Sequence, residues 1–197
     1  MQKRLILSFL SLFAVAAFLG FRTLRGQETP EAYSLSRDAQ QGKAISPVAL
    51  NLGNRHPSLV YLGSYIVNAH GSCNSCHTCP SYRGTNPYNG LLPTDPTPVN
   101  AANFLSGGTP FVNGTIVAPS LTPDSSGKPG GLTYAQFKSA MHDGASVHSP
   151  GHILQVMPWP IYRNMDENDF RAVYAYLSAI PSAPSGAGQC TGPDQTH

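Results

Sequence analysis

At 197 residues the chain suits one domain with extensions better than two full domains, which usually take roughly 100–150 residues each. Charged side chains make up only 11% while Gly (19) and Pro (18) are both abundant, the composition of a loop-rich protein whose core is completed by something other than peptide. The net charge of +2 does not point to nucleic acid: taking Lys3, Arg4, Arg22 and Arg25 from the 12 basic residues leaves 8 against 10 acidic ones, a net −2, and no basic run follows Arg25.

Lys3 and Arg4 precede a mostly apolar run from Leu5 to Phe21, the pattern of an export signal. Ala14-Val15-Ala16 offers a small-residue cleavage point. The run is also near the lower limit of a membrane span, about 17 residues, with the two cations holding its start in the cytoplasm. Residues 1–26 are therefore read as a signal peptide or a retained N-terminal anchor. Residues 27–50 read as a polar spacer and an extended arm: Gln27 to Lys43 has no clear apolar period, and Ser46 to Leu52 looks like extended chain leading in. Pro57 marks a turn. From Ser58 onward Leu59, Leu62, Tyr65, Ile66 and Ala69 recur at helical spacing and stop at His70-Gly71. Gly63 within that helix costs roughly 1 kcal/mol of propensity against Ala, which a close crossing with another helix would offset. His70 reads as a surface residue at the helix end.

Cys73-Asn74-Ser75-Cys76-His77 follows. Two cysteines three positions apart can each form a thioether to a haem vinyl group, and the adjacent His can give an imidazole nitrogen to the iron, the pattern of c-type haem attachment. The remaining cysteines, Cys79 and Cys190, form a candidate disulfide in an oxidising compartment, free thiols being the alternative. A rival reading makes Cys73, Cys76, His77 and Cys79 zinc ligands. Structural zinc sites generally draw ligand pairs from two separated places in the chain, whereas these four crowd into one short stretch.

Pro80 to Gly131 reads as a long loop system, with Phe104, Leu105, Phe111, Ile116 and Val117 expected against the core or the ring. The Pro87 carbonyl is the expected acceptor for the His77 ring N–H, a contact that would fix its tautomer. Thr133 and Gln136 form a capping box and Gly144 a C-terminal stop, so a helix is expected over Tyr134 to Asp143. Ala145 to Gln155 is a polar loop with His148 and His152. Met157 then stands before Pro158 and Pro160. A thioether is a weak, soft ligand that needs a rigid holder, and the prolines stiffen the backbone on one side of it. Core filling is the plainer reading of Met157, and His142, His148 or His152 are rival ligands. Met165, just before the next cap, reads as a packing residue. Asp166 caps a last helix on which Phe170, Val173, Tyr174, Leu177 and Ile180 form a core face.

Leu62-Gly63-Ser64-Tyr65-Ile66-Val67 together with Cys73 to Thr78 resembles the start of a class I, monohaem cytochrome c domain, of the periplasmic bacterial kind often paired with dehydrogenases. Leu121-Thr122-Pro123-Asp124, the Phe137 to Gly144 helix end, Met157-Pro158-Trp159-Pro160 and Tyr174-Ala175-Tyr176-Leu177 extend the resemblance over roughly Asn51 to Pro181, with Ser120 where Asn is usual. The resemblance implies an all-α, cytochrome c-like helical domain at residues 51–181, wrapped around one covalent haem c with long irregular loops. Residues 182–197 remain as an irregular tail. It favours Met157 as the sixth iron ligand and implies a crossing of the first and last helices at Gly63 against Tyr174 or Tyr176. It also implies an electron carrier rather than an enzyme, with no catalytic residues, taking single electrons from a dehydrogenase to an oxidase or another cytochrome. The alternative is a haem sensor or peroxidase-like protein with a labile distal ligand.

Overall fold

The structure is a computed structural model and describes residues 35–82, 99–184 and 190. The apolar run at residues 5–21 and Pro87 lie outside the described residues. Six α-helices are seen among them: α1 (Arg37–Ile45), α2 (Pro57–Tyr65), α3 (Cys73–His77), α4 (Tyr134–Asp143), α5 (Trp159–Tyr162) and α6 (Glu167–Leu177). A two-stranded antiparallel sheet pairs β1 (Pro110–Phe111) with β2 (Ile116–Val117). The architecture is thus mostly helical with one small sheet, compatible with a cytochrome c-like fold. Among the described residues no helix is long and apolar enough to cross a membrane.

The core is built on α2, which packs against α1 on one side and α6 on the other. Two glycines allow both approaches. A Cβ at Gly63 would fall onto the Ala172 carbonyl of α6 and 2.8 Å from the Tyr176 Cβ, so the crossing expected at Gly63 falls on Tyr176, together with backbone. A Cβ at Gly42 would fall onto the Tyr61 carbonyl of α2 and 2.7 Å from the Tyr65 nitrogen. The Ser64 hydroxyl donates to the Gly42 carbonyl at 2.7 Å, so α1 and α2 are joined where they approach. Tyr176, wholly buried, pairs its hydroxyl with the Ser46 hydroxyl at 3.3 Å and accepts from Asn68 at 3.1 Å. One phenol therefore ties the incoming arm, the α2 end and α6.

Three expectations change at this level. The stretch read as a polar spacer contains α1, capped by the Ser36 hydroxyl, with Ala39 and Gly42 buried; its inward face is made of small residues, which leave little apolar period. On α2 and its continuation the expected Leu59 and Leu62 pack on the core and Ile66 is buried, but Ala69 is exposed, and Val60, Gly63, Ser64 and Val67 are buried as well. A helix covered on two sides buries more than the single stripe that periodicity shows. The long loop system is not wholly irregular, since it carries the β1–β2 hairpin. Phe104 and Leu105 are core residues, Phe111 and Ile116 are half-buried, and Val117 is 47% exposed, against the expectation that it packs inward.

Local chemistry set the other elements as read. Thr133 and Gln136 make the reciprocal capping box of α4, and Gly144 ends that helix at φ 69°. Asp166 caps α6 by accepting from the Asp169 N–H at 2.8 Å. Val48, Leu50 and Leu52, alternate residues of the extended arm, lie against the core. The Asn51 N–H reaches the Ala179 carbonyl beyond α6 at 2.8 Å.

Candidate haem-attachment site

The end of α2 slips from α-helical to wider hydrogen bonding over Ile66–His70, and the Gly71 N–H donates to the Ile66 carbonyl at 2.7 Å, five residues back. Such wide turns often occur at functional sites. Ser72 then takes the left-handed conformation, φ 50° and ψ 28°, and turns the chain into α3, a placement that costs a non-glycine residue of order 1 kcal/mol. On the single turn of α3, Cys73 and Cys76 are free, half-buried thiols. Burial, with Cys76 beside it, pushes the Cys73 thiol up to about 12, and burial also raises Cys76. Both are thus thiols rather than thiolates near neutrality. The Asn74 side chain points back, donating to the Ser81 carbonyl at 3.0 Å.

His77 is gripped from two sides. Its carbonyl accepts from the Gly107 N–H at 2.7 Å, and its Nδ1 lies 2.8 Å from the Pro119 carbonyl. A carbonyl only accepts, so Nδ1 carries the hydrogen and Nε2 presents a lone pair. Burial lowers the His77 pKa, partly offset by that same hydrogen bond, which favours the neutral ring a metal requires. The acceptor is therefore Pro119, from the segment after β2, and not Pro87. Gly107 (φ 78°) makes the grip close: a Cβ there would stand 2.6 Å from the Pro119 carbonyl carbon and the Ser120 nitrogen. Buried Thr78 completes the clasp, accepting from the Leu105 N–H at 2.9 Å.

Met157 ends a loop that is closed at its base. The Leu154 N–H donates to the Gly144 carbonyl at 2.7 Å and the Trp159 indole N–H to the Leu154 carbonyl at 3.2 Å. Gly144 lies flat on the Trp159 ring, where a Cβ would stand 2.5 Å from Cε2. Met157 and Cys73 are both half-buried and pack on the same core cluster, as does Met165. Among the rival ligands, His148 and His152 are exposed, and His142 pairs its Nδ1 with the Asp143 carboxylate at 2.7 Å. His70 is exposed at the helix end. Cys79 is buried and faces Cys190, with Cα atoms 5.6 Å apart, a separation a disulfide spans; that takes Cys79 away from a zinc set. Among the described residues no group of three His, Cys, Asp or Glu side chains converges as for a metal ion.

Two free thiols, a neutral imidazole with Nε2 unencumbered and a thioether on a braced loop are the donor set that suits a c-type haem. The chain is 30% identical over 133 residues to the gluconate 2-dehydrogenase cytochrome c subunit of Pantoea cypripedii, covering 68% of this chain and 26% of that protein. These likenesses support a cytochrome c domain. The cytochrome c subunit of a quinone alcohol dehydrogenase from Gluconacetobacter polyoxogenes is 31% identical over 124 residues, 61% of this chain and 21% of that one. A diheme cytochrome c-type protein of Cereibacter sphaeroides is 29% identical over 113 residues, 56% of this chain and 33% of that protein. The chain thus spans only a third or less of these relatives' lengths. No protein-family model and no solved structure matches it.

Sequence reasoning missed Pro119 and Tyr162, whose hydroxyl reaches the Gly71 carbonyl. Neither has a local signal, since each acts on a residue far away in the chain.

Proposed function

We propose that this chain is a periplasmic monohaem c-type cytochrome that carries single electrons from a dehydrogenase to a terminal acceptor, an oxidase or another cytochrome. Cys73 and Cys76 hold the haem through thioethers, His77 Nε2 is the proximal iron ligand and Met157 the distal one. The haem supplies the reversible one-electron change of its iron. The protein's part is to fix both ligands, to exclude water and to catalyse nothing itself. The observation that carries this reading is the His77 ring held by Pro119 beside two free thiols on one helical turn. One haem is proposed because Cys73 to His77 is the single Cys-x-x-Cys-His stretch in the chain. The matched relatives, cytochrome c subunits of dehydrogenases, support the choice of donor. Residues 1–26 export the protein or anchor it in the membrane, and residues 51–181 form the haem domain, with α1 packed on it.

A pyridine haemochrome assay on exported full-length protein should give a c-type spectrum with one haem per chain, and the oxidised protein should show the far-red absorption of iron bound to a thioether. A protein exported without covalent haem would end this reading. We also propose that Cys79 and Cys190 pair, fastening the tail beside the attachment helix. Alkylation followed by mass spectrometry should modify neither cysteine before reduction and both after it; modification of both without reduction would show free thiols.

A further inference from the structure

The segment behind Met157 is a single stiff turn. The Met157 carbonyl accepts from the Trp159 N–H at 2.8 Å, and the Pro158 carbonyl from Ile161 at 3.0 Å and from Tyr162 at 3.4 Å. At the end of that turn the half-buried Tyr162 sends its hydroxyl to the Gly71 carbonyl at 2.7 Å, across 91 residues of chain. Gly71 closes the wide turn before α3, and a Cβ on it would stand 3.1 Å from the Cys73 sulfur. One hydrogen bond therefore joins the segment that carries the thioether to the start of the segment that carries both thiols and the imidazole. Burial is the main cause that raises the phenol to about 12, so it is a neutral donor.

We propose that Tyr162 is a positioning residue for the sixth iron ligand, latching the Met157 segment to Gly71 so that the thioether is held close to the segment that carries Cys73, Cys76 and His77. The inference rests on Met157 being the distal ligand. A thioether binds iron weakly, and its occupancy depends on how little freedom its segment has when it lets go. Removing the latch leaves the ring in place and frees the segment. The fraction of molecules with an open sixth position then rises, and a competing ligand gains apparent affinity in proportion.

The test compares imidazole binding to the oxidised holoprotein in the wild type, Tyr162→Phe and Tyr174→Phe. The Tyr174 hydroxyl also donates to a backbone carbonyl, that of Leu132 at 2.9 Å, but between α6 and the segment before α4. It controls for loss of a tyrosine–carbonyl bond as such. Tyr162→Phe is expected to bind imidazole about tenfold more tightly, the equivalent of about 1.4 kcal/mol, and to show a weaker far-red thioether band, while Tyr174→Phe stays within about twofold of the wild type. Affinity is read per bound haem, so a lower yield of holoprotein does not alter the result. A wild type with the thioether band and a Tyr162→Phe variant of unchanged affinity would overturn the latch alone, as would an equal gain in both variants. A wild type without the band would remove Met157 as ligand and the latch with it.

Discussion

Gly63→Leu is expected to destabilise the fold by about 3 kcal/mol or more, the upper end of what overpacking costs and a large part of a total stability of about 5–15 kcal/mol. At Gly63 a first side-chain carbon already falls on the Ala172 carbonyl and crowds Tyr176, and neither neighbour can yield cheaply. Ala172 offers backbone, and Tyr176 is fully buried and held by Ser46 and Asn68. The helices would have to part, opening the contact from which α6 gains its burial. Gly63→Ala gives the sharper reading because the sign of its effect depends on the crossing. On an exposed helix the change gains about 1 kcal/mol, whereas here a lower urea midpoint is expected. A higher midpoint for Gly63→Ala would show that α2 and α6 do not meet at this residue. The haem spectrum of the folded fraction should be unchanged in either variant, since Gly63 touches none of the proposed ligands.

The same glycine shows what could be read in advance. A costly residue in a good helix asks for a reason, and the reason lay in one partner, so the contact with α6 was legible once the resemblance supplied a crossing between the first and last helices. Gly42 poses the same question on α1, but Ala39 and Gly42 bury too little apolar surface to mark the helix. The helix went unread because its packing is close rather than hydrophobic. Caps were legible for the opposite reason: Thr133 with Gln136 and Asp166 with Asp169 act within one turn. The β1–β2 hairpin did leave a signal in Asn113-Gly114, both at positive φ, the dipeptide that favours tight hairpins. It was obscured by strands of only two residues each.

At the site, residue types were legible and their partners were not. Cys73, Cys76 and His77 stand out as candidates by spacing, whereas which carbonyl receives the His77 N–H depends on how the loop from Ser106 to Ser120 folds back. Gly107 decides that, by admitting the Pro119 backbone where any side chain would exclude it. The acceptor matters chemically. A hydrogen-bonded Nδ1 makes Nε2 a better donor and fixes the ring's rotation, so under the proposed ligation the His77 side is rigid and differences in ligand exchange should arise from the Met157 side.

That asymmetry gives Met157→Ala the largest expected effect on the iron. With Met157 as the proposed ligand, a competing ligand meets an open position in the wild type only in molecules whose thioether has let go. If that is about 1% of them, apparent affinity is reduced about 100-fold, and Met157→Ala should restore it by opening every molecule. Imidazole titration of the oxidised protein measures this, and carbon monoxide should bind the ferrous variant rapidly. Met157→His should instead keep the position filled and lower the reduction potential, because a Met/His pair raises it relative to two imidazoles. An unchanged imidazole affinity in Met157→Ala would mean that another side chain holds the iron. Of the rivals, His142 sets its ring edge-on against Phe170, centroids 6.1 Å apart, and His148 and His152 are exposed on the loop that Trp159 closes. Either of the latter would have to bring that loop inward, past the base formed by Gly144 and the indole. Met157 needs no such movement, since it already packs on the core cluster that Cys73 touches.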